Sequence, residues 1–191
     1  FIVYEGLKRY HCDAEAAAFA LKSLRMFEQN WVKNNAICEN YNMFSGAGGD
    51  VWNSDTGYGW GALLAGLALQ ELIDVEPWSH CLRVGTLSQQ DWGVRAYRVG
   101  KDVYRVRTAY DGLRVERNGA VWLTSSSPIV VRCEEFGAAP LRLKLHADRP
   151  GVLRVHGLQA GARIQILDGA ARAANAADAQ GVATVNYDVI P

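Results

Sequence analysis

A carboxylate flanked by amides, aromatic residues and glycines is the part of the chain best suited to chemistry. Glu39 is followed by two asparagines and a tyrosine at residues 40–42, and a glycine-rich turn at residues 46–49 leads to Asp50. Amide and carboxylate groups form directional hydrogen bonds with sugar hydroxyls, and aromatic faces cover the apolar side of a pyranose ring. Glycine lets the backbone approach a ligand closely. These residue types fit a sugar site, but they equally fit aromatic core packing beside a solvated glutamate.

Motifs for other common chemistries are missing from the sequence. No Gly-Lys-Ser/Thr closes the glycine-rich turn as a P-loop requires, and Ser45 lacks the flanking glycines of a nucleophile elbow. The histidines are scattered and the cysteines form no C-x-x-C pair, so we expect no metal site and no cofactor. The histidines are His11, His80, His146 and His156, and the cysteines are Cys12, Cys38, Cys81 and Cys133. Two disulfides are possible, but a chain of this size does not need them.

Two helices and a long loop must position this segment. After Asp13, a candidate N-cap, residues 14–34 are rich in helix formers and carry apolar residues at three-to-four spacing, which predicts an amphipathic helix. Asparagines and glycines in residues 35–57 predict a long irregular loop. Residues 58–73 are apolar on nearly all sides, which predicts a helix buried all round that ends before Pro77.

Beyond Asp91 apolar residues recur at every second position, which is typical of half-buried antiparallel strands. The runs are 103–106, 113–116, 121–123, 141–146, 152–155 and 164–167, and Asp111-Gly112, Asn118-Gly119 and Pro150-Gly151 separate some of them. Short strands at this spacing predict a β-sandwich or meander. Residues 169–180 are rich in alanine and fit either a short helix or a mobile loop.

Composition restricts the function classes. The chain has 191 residues, twenty Lys plus Arg and twenty Asp plus Glu, so it lacks the overall charge that non-specific phosphate binding requires. Residues 1–91 carry a balance of −5 and residues 92–191 one of +5, but the arginines of the second half are spread singly, as on the wet face of strands. We therefore expect no nucleic-acid partner.

We also expect no membrane segment, because the longest apolar stretch, residues 59–69, is too short to span a bilayer. The chain begins at Phe1 without an initiator methionine, so we expect it to start inside a longer chain. The compartment stays open, with the cytoplasm slightly favoured.

Three segments carry a resemblance to a known group of enzymes. They are Glu39-Asn40-Tyr41-Asn42, Ser45-Gly46-x-Gly48-Gly49-Asp50 and Tyr58-Gly59-Trp60-Gly61-Ala62-Leu63-Leu64, with Gly6-Leu7-x-Arg9-Tyr10 and Trp31 upstream. The order and spacing resemble the C-terminal signature of trehalases, processing α-glucosidases and mannosylglycerate or glucosylglycerate hydrolases. The resemblance is closest to glycoside hydrolase family 63 and covers about residues 1–80.

This resemblance implies an (α/α)6 barrel that hydrolyses an α-glycosidic bond with inversion. Glu39, in the Glu-Asn-Tyr-Asn motif, would be the general base. Asp50 stands where related trehalases have a glutamate and would contact substrate hydroxyls, and this difference leaves the identity of the sugar open. The other implied site residues are Tyr41 and Asn42, as supports for Glu39, and Trp52 and Trp60, as walls of a subsite.

Half of the catalytic pair is missing from the chain. An inverting hydrolase needs a second carboxylate as acid, roughly 6.5–9.5 Å from the base. In the family this is an aspartate far upstream, and no aspartate among residues 1–80 matches its motif. We therefore expect the C-terminal fragment of a larger hydrolase, inactive alone, whose partners are a carbohydrate substrate and the upstream remainder of the same barrel.

The expected fold class is α+β in two parts, the closing helices of an (α/α)6 toroid followed by an antiparallel β-sandwich domain. Residues 1–80 would hold the helices and the base loop, 81–91 a linker, and 92–191 the sandwich. The main alternative is a non-catalytic carbohydrate-binding or interaction module, which needs exposed aromatic residues on the strands. Its candidates are Trp92, Tyr97, Tyr104, Tyr110, Trp122, Phe136 and Tyr187. Another (α/α)6 enzyme, such as a rhamnosidase or a lyase, shares the architecture but not the Glu-Asn-Tyr-Asn arrangement.

Overall fold

The computed structural model describes residues 1–134, 141–167, 171–174 and 176–189. The chain divides into two compact units, Phe1–Glu71 and Leu72–Pro191. The first unit is helical and the second consists mainly of two antiparallel sheets. The expected α+β class is therefore confirmed at this level. The three helices of the described residues do not by themselves form a toroid.

The predicted amphipathic helix is confirmed. Helix α1 spans Ile2–Arg9 and helix α2 spans Asp13–Asn34, so Asp13 is the first helical residue and Cys12 occupies the cap position. Asn35 is the C-cap of helix α2. Its backbone is left-handed (φ 49°), and its N–H donates to the carbonyl of Trp31 at 2.9 Å. Asparagine tolerates this conformation better than most residues, which accounts for the sharp end of the helix.

The second predicted helix differs from the expectation in two ways. A short 3₁₀ helix, Gly59–Ala62, leads into helix α3, Leu63–Leu72. Leu67 is fully buried, but Leu63 and Leu69 are 38% and 37% exposed, so the expected burial all round is wrong. Helix α3 also ends five residues before Pro77, because the chain becomes extended and pairs as a strand.

The second unit contains two sheets. The five-stranded sheet has the order β1-β2-β7-β8-β10, and only the pairing of β8 with β10 is parallel. Its strands are β1 Ile73–Val75, β2 Leu82–Val84, β7 Val130–Glu134, β8 Arg142–His146 and β10 Gln165–Ile166. The seven-stranded sheet is antiparallel throughout, in the order β11-β12-β9-β6-β5-β4-β3. Its strands are β3 Trp92–Val99, β4 Asp102–Ala109, β5 Gly112–Arg117, β6 Ala120–Ser125, β9 Gly151–Val155, β11 Ala171–Ala174 and β12 Ala183–Tyr187.

Alternating side chains of the two sheets form one hydrophobic core, so this unit is sandwich-like, as the period of two predicted. The core includes Val84, Val131 and Leu143 from the five-stranded sheet, and Val106, Leu123 and Val155 from the seven-stranded sheet. Most of the predicted alternating runs are strands of this core. The turn between β5 and β6 is made by Asn118 and Gly119, both at positive φ (53° and 81°), as the Asn-Gly pair predicted.

Two parts of the second unit differ from the sequence expectation. The division between the units falls after Glu71, whereas the sequence placed a linker at residues 81–91. Those residues include strand β2, whose side chains are buried and whose backbone pairs with β7. Within the alanine-rich residues 169–180, Ala171–Ala174 form strand β11 rather than a helix or a loop. Residues 169, 170 and 175 of that segment lie outside the described residues.

Candidate functional site

The long loop between α2 and the 3₁₀ helix has a defined structure. The backbone N–H of Glu39 donates to the carbonyl of Asp55 at 2.9 Å, and that of Tyr58 donates to the carbonyl of Ile37 at 3.1 Å. Ile37 and Gly57 form a parallel bridge next to these bonds. The residues before and after the loop are thus held side by side, and this pairing fixes the backbone that carries Glu39.

A buried asparagine of helix α2 holds the glycine-rich turn. The Nδ2 group of Asn30 donates to the carbonyl of Gly46 at 2.7 Å, and its Oδ1 accepts from the N–H of Gly48 at 2.7 Å. The same Nδ2 also donates to the carbonyl of Met26 within the helix, at 2.8 Å. Asn30 is only 4% exposed, so these bonds replace water at buried backbone groups. Sequence reasoning missed this residue, although an asparagine in a helix interior is a signal of such a bond.

Two glycines are required by close packing around Cys38. A Cβ atom at Gly48 would lie 2.4 Å from the Sγ of Cys38, and one at Gly61 would lie 2.8 Å from the carbonyl oxygen of the same cysteine. Neither distance is compatible with a side chain, and Cys38 is itself buried. The glycine-rich turn and the 3₁₀ helix therefore both pack against Cys38, the residue directly before Glu39.

Glu39 lies in an open groove of about 500 Å³ within the first unit. The groove is lined by Phe1, Ile2, Val3, Cys38, Glu39, Tyr41, Tyr58, Trp60, Gly61, Leu63 and Leu64. Glu39 is exposed, and its Oε2 accepts a long hydrogen bond of 3.3 Å from the N–H of Asp55. Among the described residues it is the one carboxylate in this lining. The groove thus combines one accessible carboxylate with aromatic and aliphatic walls.

Two of the other predicted site residues line this groove with Glu39. Trp60 is 72% exposed, so much of its ring is free to contact a ligand. Tyr41 is half-buried, and its hydroxyl accepts from the N–H of Cys38 at 3.1 Å, which ties it to the residue before Glu39.

The remaining predicted residues are not brought into the groove. Asn42 donates from Nδ2 to the Oδ2 of Asp50 at 2.9 Å, and its Oδ1 accepts from the N–H groups of Phe44 and Ser45. Asn42 therefore organises the turn and holds Asp50, rather than contacting Glu39. Trp52 is 93% exposed and does not line the groove.

The aromatic residues of the second unit are mostly packed inward. Tyr104, Trp122 and Tyr187 are buried in the core, and Trp92 and Tyr97 pack against it. Tyr110 is 66% exposed and stacks with the guanidinium of Arg149, 4.4 Å from its ring centroid. Phe136 lies outside the described residues. This arrangement does not provide the row of exposed aromatic rings that the non-catalytic alternative requires.

The four cysteines are free thiols. Burial raises the pKa of Cys133 to about 12 and raises that of Cys81 as well, so both stay protonated and poorly nucleophilic near neutral pH. Among the residues that the structure describes, no group of three or more His, Cys, Asp or Glu side chains is arranged to hold a metal ion. In the same part of the chain, no helix is both long and apolar enough to cross a bilayer.

Comparison with protein-family models, with curated proteins and with solved structures found no match to the chain. Any functional conclusion therefore depends on the residues and the geometry of the site described above.

Proposed function

We propose that the first unit carries the general-base part of an inverting glycoside hydrolase acting on α-glucosides or related α-linked sugars. The observation that carries this proposal is the position of Glu39, an accessible carboxylate in a groove with Tyr41, Tyr58 and Trp60. An aromatic wall beside a carboxylate suits a pyranose ring with a water molecule at its anomeric carbon. The resemblance of residues 39–64 to the family 63 signature supports the same assignment.

In this mechanism Glu39 accepts a proton from the water that attacks the anomeric carbon. Among the described residues its Oε2 receives one long hydrogen bond, 3.3 Å from the N–H of Asp55, so lone pairs are left to orient the water. Trp60 would form a wall of the subsite. Asp50, which Asn42 holds outside the groove lining, would contact only a part of the substrate that extends beyond the groove.

The acid that protonates the leaving oxygen would come from outside the described groove. Glu39 is its one carboxylate among the described residues, and a single carboxylate cannot act as base and acid on opposite faces of the sugar. We place helices α1–α3 among the closing helices of an (α/α)6 barrel, whose remaining helices would supply the acid. The 191-residue chain alone would bind sugar weakly and would not turn it over.

The stereochemistry of the product tests the reaction class. The full-length gene product is incubated with an aryl α-glucoside, and the first anomer formed is identified by proton NMR before mutarotation. The proposal predicts release of the β-anomer, because a base on the opposite face of the ring inverts the anomeric carbon. Release of the α-anomer, or no hydrolysis of aryl α-glucosides and α-linked disaccharides, would overturn the proposal.

A further inference from the structure

The seven-stranded sheet brings together arginines that are scattered along the chain. Arg107 on β4 lies opposite Arg114 on β5, which lies opposite Thr124 on β6, which in turn lies opposite Arg154 on β9. Neighbouring strands are about 4.8 Å apart, so these four residues form one row across the sheet. All three arginines are exposed, because the alternate residues of the same strands fill the core.

The outward face of this sheet is basic as a whole. It carries six exposed arginines on its strands, Arg95, Arg98, Arg105, Arg107, Arg114 and Arg154, and we call this surface the arginine face. Among the described residues two carboxylates pair with it. Glu116 bonds Arg114 at 3.0 Å and Arg105 at 3.3 Å, and Asp91 bonds Arg107 at 3.1 Å. The arginines therefore outnumber the acids that neutralise them.

Two arginines of this surface lie directly opposite one another on neighbouring strands. Like charges in such a pair are destabilising unless they are offset, and here Asp91 offsets Arg107 and Glu116 offsets Arg114. The positive charge of the arginines also acts on His156, whose ring Nε2 lies 3.1 Å from the Oγ1 of Thr124. Burial lowers the pKa of His156, and the charges of Arg154 and Arg114 lower it further. Six arginines against two paired carboxylates leave this surface positive, which favours a negatively charged partner.

We propose that the arginine face binds an acidic polysaccharide, a chain of sugars that bear carboxylate groups. The planar guanidinium fork matches a carboxylate in two parallel hydrogen bonds. A shallow depression of about 290 Å³ offers room for one sugar unit on the row, and its lining includes Arg107, Arg114 and Thr124 together with one carboxylate, Asp111. Polar side chains next to the arginines, namely Thr124, His156 and Thr184, suit sugar hydroxyls.

The composition of the face favours a sugar chain over a nucleic acid. The aromatic side chains on and beside the described part of the face are engaged elsewhere, since Trp92 and Tyr97 pack against the core and Tyr110, in the β4–β5 turn, stacks with Arg149. Single-stranded nucleic acid depends on such stacking. Glu116 and Asp91 can each accept a hydrogen bond from a sugar hydroxyl, and the backbone of DNA offers no such hydroxyl. This inference concerns the second unit and does not depend on catalysis by Glu39.

Binding of polygalacturonate to the full chain tests the proposal. Affinity is measured by isothermal titration calorimetry for the wild type, for an Arg114→Gln/Arg154→Gln variant and for Arg142→Gln. Arg142 lies on β8 of the other sheet, is half-buried and donates to the Oε1 of Gln165 at 3.1 Å, so it serves as a control outside the arginine face. The double variant should lose affinity by about tenfold, since two charge-assisted contacts are removed at an exposed surface, and the control should bind like the wild type. Added salt should weaken binding by the wild type.

Further ligands separate the other outcomes. Neutral dextran should not bind, and single-stranded or duplex DNA should bind more weakly than polygalacturonate at the same salt concentration. Tighter binding of either DNA would overturn the proposal in favour of a nucleic-acid surface. Absence of polygalacturonate binding, or equal loss in the control variant, would also overturn it. Circular dichroism of both variants verifies that the fold is intact, and the single variant Arg154→Gln replaces the double variant should that one unfold.

Discussion

At the residue scale, the loop that carries Glu39 depends on one side chain of helix α2. Asn30 uses both ends of its amide to bind backbone groups of Gly46 and Gly48, which are 16 and 18 residues away along the chain. The sequence predicted the loop, its glycines and the candidate role of Glu39, because these are local features. It did not predict the function of Asn30, because the partners of a buried amide depend on how the loop folds back on the helix.

We predict that Asn30→Ala destabilises the first unit by about 2 kcal/mol and frees the turn, because it leaves the N–H of Gly48 and the buried carbonyl of Gly46 without the Asn30 amide as partner. Urea unfolding measures the free energy, and hydrogen exchange of residues 40–50 measures the release of the turn. Asn34→Ala, at the exposed end of the same helix, is the matched control and should change the free energy of unfolding by under about 0.5 kcal/mol. An Asn30→Ala protein with wild-type stability and wild-type exchange would rule out this role.

At the scale of elements, the strands that could be predicted are those joined by short turns. Strands β4, β5 and β6 follow one another along the chain, so alternation and turn residues identify them together. Strands β1 and β2 were missed. Each has three residues, too few to show a period, and β2 is completed by β7, which lies about 50 residues further along the chain. The early end of helix α3 was missed for the same reason, since the pairing of β1 with β2 decides it.

The start of β4 is joined to the β5–β6 turn by a carboxylate. Asp102 accepts a hydrogen bond from Arg117 at 2.5 Å and one from Asn118 at 2.7 Å. The bond from Arg117, followed by that from Asn118, holds the pKa of Asp102 below its usual value. Because this pKa is lower in the folded state, the carboxylate stabilises the fold above the unfolded pKa of about 3.9, and the stabilisation is lost as the pH falls through the lower folded value.

We therefore predict that Asp102→Asn is less stable than the wild type at pH 7 and that the difference shrinks as the pH falls below about 4. Urea unfolding of both proteins across this pH range measures it. Asp111→Asn, in the exposed β4–β5 turn, is the control and should show a smaller difference at pH 7. A difference between Asp102→Asn and the wild type that is constant with pH would contradict the contribution of this carboxylate.

At the scale of the whole molecule, the two units differ in how much apolar surface they expose. Most of the large apolar side chains that are exposed among the described residues belong to the first unit. They include Ile2, Val32, Phe44 and Trp52, each more than 80% exposed, whereas the second unit exposes Val75, Tyr110 and Val189. The sequence did not predict this exposure, because the helical period does not reveal which loop residues stay uncovered. The arginine face could not be predicted from the sequence either, because its residues are distant along the chain and become neighbours only when the strands pair.

We predict that the 191-residue chain associates with itself at high concentration, because exposed apolar surface of this extent favours burial against another molecule. Size-exclusion chromatography with light scattering measures the mass as a function of concentration. Replacing Phe44 and Trp52 with serine should reduce the association, while Tyr110→Ser in the second unit should not. A chain that stays monomeric at every concentration would contradict the prediction.

The turnover number of Glu39→Gln in the full-length gene product shows whether Glu39 is the general base. A base acts only in the transition state, so we predict that kcat falls by about three orders of magnitude or more while substrate still binds. Glu15→Gln, an exposed carboxylate on helix α2, should retain wild-type kinetics. Activity of Glu39→Gln within about tenfold of the wild type would contradict a role of Glu39 as the general base.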